Sequence, residues 1–98
     1  MLDALQAADF EPQVGTTFQI EFVDHPPIEL VLSEVDVRAM PGRSGHRTPF
    51  TLLFHGPAEL GLPQRIYPLQ HAELGLLEIF IVPLGADERG MRYEAAFS

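Results

Sequence analysis

Apolar and polar residues alternate over several short stretches of this chain. Residues 16–23 place Phe18, Ile20 and Phe22 on one face and polar side chains on the other, as in a strand with one buried face. Residues 49–55 and 91–97 alternate in the same way, so three half-buried strands are predicted. The inward side chains of the second and third stretches are Phe50, Leu52, Phe54, Met91, Tyr93, Ala95 and Phe97.

The phase of the alternation changes within residues 28–37. The apolar side chains occupy even positions up to Leu32 and odd positions from Val35 onward. A strand that keeps one apolar face through such a change needs an extra residue. We therefore predict a β-bulge, a bend or a strand break at Ser33 or Glu34.

Residues 65–70 and 76–82 are predicted to form a hairpin around a tight connection. The second stretch is apolar except at Glu78, and a strand that is apolar on both faces is usually covered on both. We therefore expect this hairpin at the centre of the fold. The second strand is predicted to end at two breakers, Pro83 and Gly85.

The chain length and the order of the predicted elements define the fold class. The 98 residues match one domain that spans the whole chain. Six short strands with no helical segments between them predict an all-β fold, a small antiparallel barrel or sandwich. Leu2, Leu5 and Ala8 predict a short N-terminal helix over residues 2–8, and Phe10 is expected to anchor it on the core. The side chains predicted to be buried are Phe18, Ile20, Phe22, Phe50, Leu52, Phe54, Ile79, Phe80, Tyr93 and Phe97.

The composition excludes several classes of protein. The chain has no cysteine, which excludes disulfides and cysteine-based metal or nucleophilic sites and is typical of a cytoplasmic protein. No apolar run approaches the roughly 18 residues that a membrane helix needs, and the N-terminus lacks the features of a signal peptide. We therefore expect a cytoplasmic protein that does not cross a membrane.

Charge is distributed unevenly along the chain. The net charge is −8, and residues 1–37 contain eight acidic residues and no lysine or arginine, whereas the remainder holds six acidic residues and six arginines. An acidic protein repels phosphate backbones and anionic lipids, so binding to nucleic acid or to a membrane surface is not expected. The acidic segment is either a solvated outer face or a patch that docks a basic partner.

A cluster of cationic side chains interrupts this acidic chain. Arg38, Arg43, His46 and Arg47 fall within ten residues of a loop that contains proline and glycine. Loops carry function more often than cores, and arginine is favoured at the centres of interfaces. These four residues are therefore candidates for binding a protein partner. A solvated loop, or one that pairs with the acidic segment, is the alternative.

Histidine is the side chain best suited to acid–base chemistry near neutral pH. The chain has four, His25, His46, His55 and His71. His71 opens the connection within the predicted hairpin and is expected either to stabilise this turn or to act in binding. His55, His71 and Glu73 are of the types that bind metals, but the chain has no His-Glu-x-x-His motif. We predict no metal site and no cofactor.

Motifs of nucleophilic and phosphate-binding enzymes are absent from the sequence. The serines are Ser33, Ser44 and Ser98, and none lies in Gly-x-Ser-x-Gly. The chain has no lysine for a phosphate-binding loop and no Gly-x-Gly-x-x-Gly. The adjacent carboxylates Asp87 and Glu88 lie in a predicted polar turn and are expected to be solvated. No catalytic residues are therefore predicted.

Four motifs resemble an uncharacterised family of small bacterial β domains. They are Phe10…Gly15-Thr-x-Phe18, Pro49-Phe-x-Leu-Leu-Phe54, Tyr67-x-Leu-x-His71-x-x-Leu-Gly75 and Phe80-x-Val-Pro83…Tyr93-Glu-Ala-x-Phe97. Together they span nearly the whole chain. The resemblance implies a domain with no assigned activity and no catalytic residues to carry over. It also implies a tail-associated or accessory role, because genes for such domains often lie near genes for phage-tail-collar-like proteins.

These observations favour a non-enzymatic domain that works through contacts with a protein partner or with copies of itself. Its expected role is interaction within, or structural support of, a larger assembly. The alternative is a small-molecule-binding domain or an enzyme that uses the mouth of a barrel, with a site around His55, His71 and Tyr67. Convergence of these side chains in one pocket would favour the alternative.

Overall fold

In the computed structural model, the described residues, 5–37 and 48–97, form a closed antiparallel barrel of six strands. The strand order is β1-β2-β3-β6-β5-β4, and β4 closes the barrel by pairing with β1. The strands are Thr17–Ile20 (β1), Ile28–Val37 (β2), Phe50–Gly56 (β3), Arg65–His71 (β4), Gly75–Asp87 (β5) and Gly90–Phe97 (β6). The predicted all-β fold is confirmed. Of the two predicted forms, barrel and sandwich, the structure is the barrel.

The N-terminal helix lies further along the chain than predicted. It spans Ala7–Phe10 (α1) and continues as a 3₁₀ turn over Glu11–Gln13, whereas residues 1–4 lie outside the described residues. The Asp9 carboxylate accepts a hydrogen bond from the backbone N–H of Gln6 at 2.7 Å, and this cap sets the start of the helix. No helix within the described ranges is long and apolar enough to cross a membrane.

Phe10 anchors the N-terminal segment on the core, as predicted. Its side chain is fully buried, and its ring lies 5.8 Å from that of Phe50 and 5.6 Å from that of Phe97. Phe50 and Phe97 stack on each other at 4.7 Å. Because Phe50 begins β3 and Phe97 ends β6, the three rings close one end of the barrel.

The alternating positions of the sequence fill the barrel interior. Phe22 is only half-buried, because β1 ends at Ile20, and Phe80 is exposed. The other residues of the predicted core are at most 8% exposed, and they are Phe18, Ile20, Phe50, Leu52, Phe54, Ile79, Tyr93 and Phe97.

The predicted bulge occurs in β2. The pairing with β3 shifts by one residue between Leu32 and Glu34, so Ser33 is an extra residue without a partner on β3. The extra residue returns Val35 to the inner side, where it packs against the core. Val37 remains 46% exposed at the end of the strand, so the bulge restores the apolar face only in part.

The β5 strand differs from its prediction in length and in burial. It spans Gly75–Asp87 and continues past Pro83 and Gly85 through a second register shift, a position where a strand tolerates proline. On its outer face, Leu76 is 59% and Phe80 is 45% exposed. A closed barrel is a single layer that buries only its inner face. The prediction of a central hairpin covered on both faces was therefore wrong.

Two tyrosines hold the connection between β3 and β4 against the barrel. The hydroxyl of Tyr93 accepts a hydrogen bond from the backbone N–H of Leu62 at 2.9 Å and donates one to the carbonyl of Leu60 at 3.0 Å. The hydroxyl of Tyr67 donates to the carbonyl of Pro63 at 2.6 Å. These bonds hold Leu62 in the core, where it is 7% exposed.

Tyr93→Phe is expected to lower the free energy of unfolding by about 1 to 3 kcal/mol, because it leaves two backbone groups without their partner. Burial raises the pKa of Tyr93 above its ordinary value. In the unfolded chain this pKa is about 10, so above that pH the unfolded chain holds fewer protons than the folded one. Stability therefore falls as the pH rises past that value, and urea unfolding at several pH values measures the fall.

The alkaline loss separates the contribution of Tyr93 from that of the other buried tyrosine. Wild type should lose more stability between about pH 9 and pH 11 than the Tyr93→Phe variant loses. Burial also raises the pKa of Tyr67, so a smaller loss persists in the variant. Equal losses in the two proteins would contradict the role given to Tyr93.

Candidate functional site

The candidate binding residues of the arginine cluster are Arg38, Arg43, His46 and Arg47, and all four lie outside the described residues. The segment that contains them connects β2 to β3, two strands that pair in the barrel. Their role in binding a partner stays a prediction.

His71 ends β4 and is 3% exposed. Its Nδ1 accepts hydrogen bonds from the backbone N–H groups of Glu73 at 3.0 Å and of Leu74 at 3.1 Å. Nε2 therefore carries the ring proton and donates to the hydroxyl of Thr16 at 2.9 Å. The imidazole also packs against Phe18, with 4.3 Å between the ring centres. These contacts stabilise the turn, and a binding role for His71 stays a prediction.

The same region fastens the N-terminal segment to the β4–β5 turn. The hydroxyl of Thr16, which accepts from His71, donates to the carbonyl of Gln13 at 2.6 Å. The side-chain amide of Gln13, a buried residue, donates to the carboxylate of Glu73 at 2.8 Å. Two side-chain contacts therefore join the segment before β1 to the hairpin formed by β4 and β5.

The structure does not bring His55, His71 and Tyr67 together. His71 lies at the end of β4, where it contacts Thr16, whereas Tyr67 lies near the start of β4 and contacts Pro63. His55 lies on the outer face of β3. Successive side chains of a strand point to opposite faces, and Phe54, which precedes His55, points inward. The three side chains are thus held in three separate contacts and do not form one site.

The described residues also contain no group of three or more His, Cys, Asp or Glu side chains placed to hold a metal ion. His55, His71 and Glu73 therefore do not come together as one group of ligands. His71 and Glu73 instead serve the turn and the N-terminal segment.

Apolar side chains lie on the outer face of the β4–β5 hairpin. Ile66 pairs with Phe80 across the two strands, and these side chains are 61% and 45% exposed. Leu76 lies further along the same face of β5, and the exposed Glu78 lies between Leu76 and Phe80. We name these four residues the hairpin face. Clustered exposed apolar side chains are typical of interaction sites.

The surface around the barrel is acidic. Of the first 37 residues, every acidic one that the structure describes is exposed: Asp9, Glu11, Glu21, Asp24, Glu29, Glu34 and Asp36. The arginines among the described residues are Arg65, Arg89 and Arg92. Of these, Arg92 directs its guanidinium to the carbonyls of Leu84 and Gly85, at 3.1 and 3.3 Å. Negative charge therefore dominates the described surface.

A chain of hydrogen bonds joins a serine, a histidine and an aspartate on the outer face of the barrel. The hydroxyl of Ser33 lies 2.5 Å from Nδ1 of His55, and Nε2 of His55 lies 3.0 and 3.1 Å from the two carboxylate oxygens of Asp87. The His55 side chain is 6% exposed and that of Asp87 is 39% exposed. We name these three residues the outer triad.

The proton positions in the outer triad follow from its acceptors. A carboxylate only accepts, so Nε2 of His55 carries the ring proton and donates to Asp87. When the ring is neutral, Nδ1 accepts from the hydroxyl of Ser33, whose second acceptor is the carbonyl of Val31 at 3.4 Å. The hydrogen bond from His55 lowers the pKa of Asp87, and the backbone N–H of Arg89, which donates at 2.8 Å, adds to this effect. Asp87 is exposed, as predicted, but it also accepts hydrogen bonds from His55 and Arg89, which the sequence did not predict.

Irregularities in two strands bring the outer triad together. The bulge in β2 makes Ser33 an extra residue opposite β3, where its hydroxyl meets His55. The second register shift, before Gly85, sets the position of the β5–β6 turn that carries the carboxylate. Arg92 pairs with His55 across β3 and β6. Its hydrogen bonds to the Leu84 and Gly85 carbonyls stabilise β5 at the register shift.

A groove on the outer surface runs beside the outer triad. It begins next to the bulge and crosses β3 and β6. Three carboxylates make it acidic, and two leucines give it apolar walls. Its lining residues are Glu34, Asp36, Thr51, Leu53, Leu84, Arg92 and Glu94.

The family described as Domain of unknown function (DUF6916) matches residues 5–97. The chain belongs to this family. The match covers nearly the whole barrel and confirms the resemblance to an uncharacterised domain family. Comparison with curated proteins and with solved structures finds no match.

Proposed function

We propose that this chain is an interaction domain that docks a basic protein segment on the hairpin face. The cross-strand pair of Ile66 and Phe80 carries this proposal, because it exposes two large apolar side chains side by side. Leu76 extends the apolar surface along β5. Aromatic side chains are enriched at the centres of protein interfaces, so Phe80 is the anchor of this surface.

Charge supports a basic partner over a second copy of the chain. The net charge is −8, Glu78 lies within the hairpin face, and the acidic residues of β2 are exposed. Lysine or arginine beside the apolar anchors of a partner would complement this field. Two copies that met by their hairpin faces around a two-fold axis would bring their Glu78 carboxylates toward each other.

We further propose that the domain has an accessory or structural role in a larger, tail-associated bacterial assembly. The family resemblance supports this form, and the lack of cysteine supports a cytoplasmic location. The acidic surface supports a protein partner, since nucleic acid and anionic lipid are repelled by it.

Phe80→Lys is expected to weaken binding of a short peptide in which leucine and lysine alternate, by about tenfold or more. The change removes the apolar anchor and adds a charge that repels the peptide. Val37→Lys is the matched control, because Val37 is 46% exposed, much as Phe80 is, and lies at the end of β2, which pairs with β1 and β3. Fluorescence anisotropy of the labelled peptide measures both affinities.

The control distinguishes a specific surface from general attraction between charges. If the two variants lose affinity equally, the peptide binds to the overall negative field and not to the hairpin face. Sedimentation of the wild-type protein tests self-association. If wild type sediments as a dimer and Phe80→Lys as a monomer, the occupant of the hairpin face is a second copy of the chain and not a basic partner. Capture from host lysate supports the proposal only for a basic protein that the Val37→Lys variant retains and the Phe80→Lys variant loses.

A further inference from the structure

The geometry of the outer triad points to a chemical role that is independent of the hairpin face. We propose that Ser33 is a nucleophile, with His55 as its general base and Asp87 as the positioning residue, that reacts with small uncharged or cationic carboxylic esters. A hydroxyl that donates to a neutral imidazole, whose other nitrogen donates to a carboxylate, is the arrangement that activates serine.

The distances within the outer triad carry this assignment. The Ser33 oxygen lies 2.5 Å from Nδ1 of His55, whereas the carbonyl of Val31, to which the hydroxyl can also donate, lies at 3.4 Å. Asp87 fixes the proton on Nε2 through contacts of 3.0 and 3.1 Å. The Asp87 carboxylate is itself held by the backbone N–H of Arg89 at 2.8 Å. The three groups thus lie within hydrogen-bond distance in the order that proton transfer from serine requires.

The reaction transfers an acyl group in two steps. The Ser33 oxygen bonds to the ester carbonyl carbon while its proton passes to Nδ1 of His55, and the alcohol leaves with that proton. Water then attacks the acyl-serine, His55 takes a proton from the water and returns it to the Ser33 oxygen, and a carboxylic acid leaves. The sum is one ester and one water converted to one acid and one alcohol.

The surroundings of the outer triad select the charge of the substrate. Glu34 follows Ser33 in the sequence, and Asp36 and Glu94 line the adjacent groove, so anionic esters are repelled. The apolar walls of the groove suit a short acyl or alkyl group. Arg92 pairs with His55, and its guanidinium is directed to the carbonyls of Leu84 and Gly85 on β5, so its role is to hold the end of β5 that carries Asp87.

Reaction of the wild-type protein with a fluorophosphonate probe tests the proposal without any mutation. The probe bonds covalently to activated serines, and peptide mass spectrometry locates the bond. We expect the label on Ser33 and not on the chain's two other serines, Ser44 and Ser98. No label on Ser33, or equal labelling of all three serines, would overturn the proposal.

Variants then assign the roles. Ser33→Ala should abolish the label and the burst of nitrophenolate from p-nitrophenyl acetate, and His55→Gln should slow labelling about 100-fold or more. Thr17→Ala, which removes an exposed hydroxyl from β1, should leave both rates unchanged. A His55→Gln variant that melts like wild type and labels equally fast would show that the imidazole is not the base.

The role of Asp87 is tested by separate effects on kcat and KM, which a merely structural role would not produce. Asp87→Asn should lower kcat for p-nitrophenyl acetate and leave KM unchanged, since the carboxylate orients His55 and does not touch the ester. An unchanged kcat in a folded variant would remove Asp87 from the proposal. Ser33→Ala should retain full affinity for the leucine–lysine peptide. The proposal for the outer triad and the proposal for the hairpin face can therefore fail independently.

Discussion

Phe54→Ala is expected to lower the free energy of unfolding by about 3 to 5 kcal/mol. The Phe54 side chain is fully buried, and its ring meets the edge of Phe18 with 5.3 Å between the ring centres. Phe54 lies in β3 between its partners Leu32 on β2 and Tyr93 on β6, so truncation opens a cavity within the barrel. The loss is a large part of the roughly 5 to 15 kcal/mol that stabilises a small domain.

Phe80→Ala is the matched control for this experiment. It removes the same atoms from a side chain that is 45% exposed, so the expected loss is about 1 kcal/mol. Urea unfolding at neutral pH gives both free energies. A loss below about 1 kcal/mol for Phe54→Ala would mean that the inner face of β3 has been assigned wrongly.

The inner face of the barrel is the part of the fold that sequence alone predicts well. A strand has a period of two, so Phe50, Leu52 and Phe54 must share one side, and burial makes it the inner one. The bulge at Ser33 was predictable for the same reason, because the apolar phase slips by one residue there. Both inferences need only local spacing and the requirement that one face be buried.

The outer surface depends on information that local spacing does not contain. The apolar run from Leu76 to Val82 has the same appearance whether its second face is covered by another layer or exposed on a barrel. The misplaced N-terminal helix has a similar origin, since its start is set by the contact between Asp9 and Gln6 and not by leucine spacing.

The outer triad could not be found from sequence motifs. Its residues are separated by 22 and 32 positions along the chain, and no serine motif surrounds Ser33. They meet because β2 pairs with β3, β3 pairs with β6, and the β5–β6 turn folds Asp87 back toward His55. The strand order and both register shifts must be known before these three side chains can be placed in contact.

Gly90→Ala is expected to lower the free energy of unfolding by about 2 to 5 kcal/mol, from two separate causes. Gly90 has φ of +129°, which L side chains rarely adopt. A methyl group at this position would also lie 2.2 Å from the backbone carbonyl oxygen of Gly56, which cannot move without shifting the end of β3. The close approach keeps the β5–β6 turn against β3.

Gly85→Ala separates the two causes. Gly85 has a similar left-handed φ of +95°, but a methyl group there meets nothing within 4 Å among the described residues. It should therefore lose only the backbone cost of about 1 to 2 kcal/mol, and the excess loss at Gly90 measures the contact with β3. Because that contact also holds Asp87 beside His55, Gly90→Ala should weaken the outer triad as well, and Gly85→Ala less so. Equal losses of stability in urea unfolding would show that the turn does not need to pack so closely on β3.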